Sequence, residues 1–484
     1  KDETERKRRV GLLFDMNRMA NEQDRTLRKL RQMQVSNGGW PWFEGMPDDR
    51  YITQHIICGF GHLDHLGVTA IRTENKNWSM VQDGVRYMDA RIAEDYEWIL
   101  KYDAARINED HLGYLAVHYL YARSYFMDIP MSERTKKAFD YFQGQAKKYW
   151  TSKTRYMQGM LALDMHRNKE TVTATDIMKS LKETAVVSEE MGMYWKDMAN
   201  GGYYWYQAPI ESQALMVEAF YEVSNDQKAV DDIRVWLLKN KQTNDWKTTK
   251  STVEACYALL IQGTDWLATE SDVTIVVGSQ TIDPKAMGVQ QEAGTGYFKM
   301  AWSGNSITPD MGKVTVTKTG PGVSWGALYW QYFEDLDKIT PANTPLKVVK
   351  KLFVTRNTAS GPVIEPVTDQ TVLKPGDKIK VRIELRTDRD MEYVHMKDMR
   401  ASGFEPINVF SQYKWQDGLG YYESTRDAST NFFFSFLPKG TYVFEYPLFV
   451  AHEGNFSNGI TTVQCMYAPE FSAHSEGSRV KVGK

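Results

Sequence analysis

One pattern recurs along the first half of the chain: a polar turn with paired glycines, a cluster of aromatic residues, then an amphipathic helix. NGGWPWF at 37 opens it, NGGYYWYQAPIESQALMVEAFYEV at 200 echoes it, and NDWKTTKSTVEACYALLIQG at 244 repeats it more faintly. A helix-loop unit of this kind buries its apolar face only against its neighbours. Helical hairpins arranged in a ring, an α/α toroid, satisfy every unit. The glycines then permit tight or positive-φ turns, and the aromatics after them plug the gaps between adjacent hairpins.

Up to about residue 265 the apolar spacing is helical. Ile52, Ile56, Gly59, Phe60 and Leu63 follow steps of three and four, as do Met216, Ala219, Phe220 and Val223, and again Val253, Cys256, Tyr257 and Leu260. Ser251 and Glu254 fit a capping box at the start of the last of these helices. After about residue 268 the period falls to two. KIKVRIEL, behind a KPGD turn, places Ile379, Val381, Ile383 and Leu385 on one face and Lys380, Arg382 and Glu384 on the other. VTIVV (273–277), VTVT (314–317), NFFFSF (431–436) and TYVFEYPLFV (441–450) read the same way, with LPKG as a hairpin turn between the last two. Strand follows strand without intervening helices, which favours an antiparallel sandwich. DKITPANTP (337–345) is rich in turn formers and reads as a linker. The expected fold class is multidomain α plus β: an α/α toroid over 1–266, a β segment over 267–336 and a β-sandwich over 345–484.

A net charge of -3 offers no electrostatic footprint for nucleic acid, and no run approaches the roughly 18 apolar residues of a membrane span. Cys58, Cys256 and Cys465 are too scattered for a disulfide framework. The chain starts KDETERKRRV, without Met or an apolar leader, and is read as a cut within a longer protein.

The most chemical-looking cluster is HIICGFGHLDH, where His55, Cys58, His62 and His65 share a helix face. Imidazole with thiolate is zinc chemistry. At about 1.5 Å rise per residue the ends lie roughly 15 Å apart, so one ion could take only an adjacent pair such as Cys58 with His62. A packed or surface helix face is the competing reading, and no metal, cofactor or catalytic residue is expected. Gly322, Ser324 and Gly326 match Gly-x-Ser-x-Gly, but the serine lies among β-patterned aromatics instead of on a strand-turn-helix elbow. His111 and His118 could be general bases in a ring mouth or satisfied interior histidines. Glu44, Asp48 and Asp49 could serve a toroidal glycosidase or form a solvated loop. Gln34, Gly38 and Trp40 fit Gln-x-x-x-Gly-x-Trp, a pattern of terpene cyclases, yet the Asp-x-Asp-Asp acid motif is absent, so the match speaks for architecture.

LRKLRQMQVSNGGWPWFEGMPDDRYITQHIICGFGHLDHLG, MYWKDMANGGYYWYQAPIESQALMVEAFYEV and NDWKTTKSTVEACYALL resemble the thioester-domain toroid of bacterial alpha-2-macroglobulins, in versions found in Bacteroides-type bacteria. VSWGALYWQYFE, RTDRDMEYVHMKDMRASGFEP and the stretch from FFFSFLPKG to SAHSEG resemble the segments that follow it. The resemblance implies a broad-range trap for target endopeptidases, closing after a bait segment is cut. It also implies that residues 267–336 are the second half of a CUB-like domain, that the receptor-binding-like sandwich packs against the toroid, and that the protein is periplasmic or in the cell envelope, lipid-anchored through an upstream segment. Covalent capture in that family uses Cys-x-Glu-Gln, whereas the cysteines here read CGFG, CYAL and CMYA. The rival readings are an α/α-toroid enzyme acting on polysaccharide, with Trp40, Trp42, Tyr203, Tyr204 and Trp205 as stacking platforms, and a cell-surface adhesion module.

Overall fold

The computed structural model describes residues 16–189, 191–199, 209–246, 248–261, 272–284, 286–289, 297–319 and 326–484. The chain divides into two compact units, 1–234 with 250–328 and 235–249 with 329–484.

The helical half folds as α1 (Met16–Met33), α2 (Arg50–His65), α3 (Asn75–Tyr102), α4 (Tyr114–Ser124), α5 (Glu133–Tyr149), α6 (Arg155–Arg167), α7 (Thr171–Glu183), α8 (Pro209–Glu222), α9 (Gln227–Thr243) and α10 (Thr249–Leu260). Asp49, Ser132 and Thr154 cap α2, α5 and α6 by accepting from backbone N–H groups of the first turn. Helices α2, α4, α6 and α8 pack in succession, while α3 lies on α2 and α5, and α7 lies on α6. The inner helices are enclosed on nearly every side: Ala116–Ser124, Tyr156–Met165 and Ile210–Phe220 are buried without a break. A helix buried all round belongs at the centre of the packing, and these line a ring.

The opening motif is a joint of that ring. Gln34 donates its amide to Gly38 O at 3.0 Å and to Met80 O at 2.9 Å, tying the end of α1 to α3. Gly38 is left-handed, with φ +91°. Trp40 is buried, its indole donating to Leu30 O at 2.8 Å and its backbone N–H to Thr53 Oγ1 at 2.8 Å. Trp195 repeats the arrangement farther along, donating to Leu181 O at 2.9 Å and packing on Phe220. Tyr203, Tyr204 and Trp205 lie outside the described residues.

Residues 272–319 contribute a three-stranded antiparallel sheet in the order Gln280–Ile282, Asp272–Val277, Val314–Thr319, over a small core of Val277, Ile282 and Met311. The C-terminal sandwich pairs two larger sheets. One runs Phe404–Pro406, Gly440–Val450, Lys378–Thr387, Leu346–Thr358, Gly361–Pro366; the other runs Gln412–Gln416, Leu419–Arg426, Ser429–Leu437, Met391–Met399, Thr461–Cys465, Ser472–His474. Ile379, Val381, Ile383 and Leu385 face inward beside Phe444 and Leu448 of the neighbouring strand and share one core with Phe432 and Phe434 of the other sheet, as their alternation predicts. Within this core Lys350 Nζ meets Asp398 Oδ1 at 2.8 Å.

Several expectations are corrected. LPKG does not turn a hairpin: Ser429–Leu437 and Gly440–Val450 belong to different sheets, so the segment is a corner between them. DKITPANTP is pinned to the sandwich, with Ala342 and His474 exchanging backbone bonds of 3.2 and 3.0 Å and Gly477 N donating to Ile339 O. Helix α10 begins at Thr249, so Ser251 lies inside it, and Glu254 turns toward His62 instead of closing a cap. The apolar stripe of α10 is largely on its outside, where Val253 and Leu260 are exposed, and in α2 Leu63 is exposed while Gln54, Cys58 and His62 are buried. Periodicity locates the helices, but the ring turns a polar stripe inward.

Candidate functional site

That inward stripe is the most developed polar site of the ring. On α2 it consists of Tyr51, His55, Cys58, His62 and His65, and on α4 of Tyr114, His118 and Tyr121, with Tyr125 at its C-cap. Helices α6, α8 and α10 add Tyr156 and Arg167, Glu211, Glu218 and Glu222, and Lys250, Glu254 and Tyr257. Residues four and three apart stack along one face of a helix, so these positions line the axis.

At one end Arg167 organises the cluster. It donates to Glu218 Oε1 at 2.7 Å, to Glu222 Oε2 at 2.6 Å and Oε1 at 2.8 Å, and to Ser124 Oγ at 3.1 Å. Its guanidinium carbon lies 4.0 Å from the centre of the Tyr125 ring. Glu218 also accepts from the hydroxyls of Tyr121 (2.6 Å), Tyr257 (2.9 Å) and Tyr125. Burial alone would raise the Glu218 carboxyl, but Arg167, His62 and the tyrosine hydroxyls outweigh it and hold the group down to about 2. His62 donates or accepts with Tyr121 Oη at 3.0 Å, stacks on Tyr257 at 3.8 Å and approaches Glu254 at 3.8 Å. Burial raises the Glu254 carboxyl, and His62 and Lys250 offset part of that rise.

At the other end the rings of Tyr51, Tyr114 and Tyr156 lie 6.3 and 6.5 Å apart in sequence, with Lys250 Nζ 6.0 Å from the first and the last. Lys250 Nζ is 3.9 Å from Glu211 Oε1. His55 stacks flat on Tyr51, and burial, with Lys250 and His62 nearby, lowers its imidazole to about 4. Cys58 Sγ sits 3.6 Å from His118 Nε2 in the middle of the column. Burial pushes the Cys58 thiol well up and the His118 imidazole well down, so both rest neutral, the opposite of an activated thiolate-imidazolium pair.

The sequence-derived cluster thus shares one face, and each member meets a different neighbour: His55 with Tyr51, Cys58 with His118, His62 with Tyr121 and Tyr257, His65 with Glu218 and Glu222. Neither Cys58 nor His62 belongs, among the described residues, to a group of three or more side chains that could hold a metal ion. Among the described residues, His65, Glu218 and Glu222 bring ligand atoms within 4.8 Å of one another. Arg167 already holds both carboxylates and supplies the positive charge that a cation would bring there. His111 lies away from the axis, between Asp103 Oδ2 at 3.0 Å and Tyr141 Oη at 2.8 Å. Ser324 lies outside the described residues.

Two of the three carboxylates after the opening motif are structural. Asp49 caps α2, accepting from Ile52 N at 2.9 Å, and Asp48 accepts from Tyr87 Oη at 2.5 Å and Asn37 Nδ2 at 3.1 Å. Glu44 is exposed. A surface cavity of about 600 Å³ opens beside the starts of α2 and α4, lined by Arg50, Tyr51, Trp98, His111 and Tyr114, with Asp95 as its carboxylate. Arg50 engages Asp95, whereas glycoside hydrolysis needs two carboxyl groups flanking the scissile bond.

Sequence reasoning identified the His and Cys of α2 but passed over Tyr114, Tyr121 and Tyr125, Arg167, Glu218, Lys250 and Tyr257. The available signal was polar side chains at steps of three and four within helices otherwise apolar all round.

Residues 346–470 match the family described as "Bacterial Alpha-2-macroglobulin MG10 domain". No curated protein matches the chain. Among solved structures it is similar to Escherichia coli alpha-2-macroglobulin activated by porcine elastase, at 14% identity over 95% of this chain and 38% of that one, with a TM-score of 0.39. It is similar also to native E. coli alpha-2-macroglobulin from domain MG7 to the C-terminus (11%, 95% and 67%, 0.32), and to Salmonella alpha-2-macroglobulin reacted with methylamine (13%, 94% and 27%, 0.31). The family model covers about a quarter of the chain, residues 346–470.

Proposed function

We propose that this chain is the C-terminal part of a bacterial alpha-2-macroglobulin, a broad-range protease inhibitor that closes as a trap on a target endopeptidase after a bait segment elsewhere in the protein is cut. The observation that carries this reading is the match over 346–470. The ring supports it by what its polar groups do. Arg167, Glu218, His62 and Tyr257 are spent on one another, which suits a rigid body that is moved as a unit and not a catalytic centre. The role proposed is non-enzymatic.

The exposed run Leu328, Tyr329, Trp330, Tyr332 and Phe333 is the kind of surface that another segment covers, in keeping with a β domain completed from elsewhere in the protein. No Cys-x-Glu-Gln occurs in this sequence, so a covalent capture step would draw its thioester from another part of the protein. We place the protein in the periplasm or cell envelope, held by an upstream lipid anchor. Among the described residues, no helix is long and apolar enough to cross a membrane.

The test uses the full-length protein. It is incubated with an active endoprotease, and cleavage of a small peptide and of a large protein is then followed in parallel, with and without methylamine pretreatment. Retained peptide cleavage with loss of protein cleavage is the expected result. Simple digestion of the protein with both activities intact overturns the reading, and a methylamine effect reports an upstream thioester. Glu44→Gln leaves the inhibition unchanged.

A further inference from the structure

The two outer faces of the sandwich differ in kind. On the six-stranded sheet the row Tyr413, Tyr422, Phe433, His395, Gln464 crosses the face without a carboxylate or a lysine. On the five-stranded sheet the central strand Lys378–Thr387 points Lys378, Lys380, Arg382, Glu384 and Arg386 outward. Its neighbour adds Lys347 opposite Arg386 and Lys351 opposite Arg382. Glu445, opposite Arg382, pairs with Lys380 and Arg382 at 3.1 and 2.6 Å. Lys347, Lys351, Lys378 and Arg386 are exposed and have no carboxylate partner among the described residues. A chain of net charge -3 therefore concentrates cations on one sheet face.

Apolar side chains are interleaved with these cations. Val349 and Val443 flank Glu384 in one cross-strand row and are 46% and 39% exposed, while Phe449, beside Lys378, is 40% exposed. Cations alone would suit any anionic polymer. Cations around exposed valines and a phenylalanine suit a surface that offers anionic groups above an apolar layer. We infer that the outer face of the five-stranded sheet docks on a lipid leaflet rich in anionic headgroups, through Lys347, Lys351, Lys378 and Arg386 with Val349 and Val443 reaching the headgroup boundary. This goes beyond the inhibitor reading and does not depend on it.

The experiment is flotation of the 484-residue chain with phosphatidylcholine vesicles, with and without phosphatidylglycerol, at low and high salt. Binding to the phosphatidylglycerol vesicles alone, weakened by salt, is expected. Each of Lys351→Gln and Arg386→Gln should weaken it about fivefold. The fourfold reversal Lys347→Glu, Lys351→Glu, Lys378→Glu, Arg386→Glu should abolish it. Lys397→Glu, on the opposite sheet, should leave it unchanged. Val349→Ser with Val443→Ser should weaken vesicle binding without changing retention on dextran sulfate. Equal binding to both vesicles, or undiminished binding by the glutamine variants, overturns the inference. A loss with Lys397→Glu equal to theirs does so as well, and tighter binding to dextran sulfate than to vesicles would make the partner an acidic polymer.

Discussion

The rings of His62 and Tyr257 lie 3.8 Å apart and within 6° of parallel, joining the first inner helix, α2, to the last, α10. With Tyr257 also donating to Glu218 on α8 at 2.9 Å, this contact closes the circle that α2, α4, α6 and α8 begin. Tyr257→Ala should therefore destabilise the ring by about 3–5 kcal/mol, whereas Tyr257→Phe, which keeps the stack and loses only the bond to a charged acceptor, should cost about 1.5–3 kcal/mol. Urea denaturation followed by tryptophan fluorescence measures both. Equal losses would assign the closure to the hydroxyl alone.

Arg167 and Glu218 are both buried, with side-chain exposures of 10% and 1%. Removing one partner leaves the other charged in an apolar setting, so Arg167→Met should cost about 3–5 kcal/mol. Adding Glu218→Gln removes the stranded charge, and the double variant should be less destabilised than the sum of the singles. A strictly additive pair in a double-mutant cycle would contradict this coupling.

His55 is lowered to about 4 and His118 well below its ordinary value, chiefly by burial. Both are neutral when folded, while the unfolded chain takes up their protons near the ordinary value of about 6.5. Their contribution to stability is complete above that value and is lost as the pH falls from it through about 4, at a cost on the order of 3 kcal/mol for His55. Thermal unfolding across this window should show a fall in midpoint that His55→Gln reduces. An unchanged slope in that variant would remove His55 as the source.

The two glycines of the first repeat carry different constraints. Gly38 has φ +91°, and a Cβ there would lie 2.2 Å from Asp83 O. Gly39 has an ordinary φ, but its Cβ would lie 2.8 Å from the Tyr87 ring and 2.9 Å from Asp48 Cβ. Gly38→Ala and Gly39→Val should both lower the stability of the ring, the first through backbone strain and the second through displacement of the Tyr87 and Asp48 pair. Circular dichroism melts test the direction. Near-ultraviolet spectra should change most for Gly39→Val because Tyr87 moves.

In the sandwich, Lys350 and Asp398 form a buried ion pair that also receives the hydroxyls of Thr461 at 2.6 Å and Tyr446. Lys350→Met should cost about 3–5 kcal/mol by leaving Asp398 uncompensated. Lys350→Met with Asp398→Leu should recover part of that loss in guanidinium denaturation.

The sequence by itself determined the elements and the change of architecture between the halves, because both follow from local periodicity. Ile379, Val381, Ile383 and Leu385 alternate and are buried, and Met216, Ala219 and Phe220 are buried at helical spacing. It also placed His55, Cys58, His62 and His65 on one face. Tertiary structure decided where that face points. Inner helices of a ring are enclosed on both sides, so hydrophobicity alone does not tell axis from outside, and in α2 and α10 the polar stripe is the one turned inward. Partners such as Arg167 with Glu218, or His62 with Tyr257, are 51 and 195 residues apart in the chain (218 − 167 and 257 − 62), and only closure of the ring brings them together. The same holds for LPKG, whose turn residues are consistent with a hairpin or a corner. Burial of Phe434 and Phe444 between two separate sheets selects the corner.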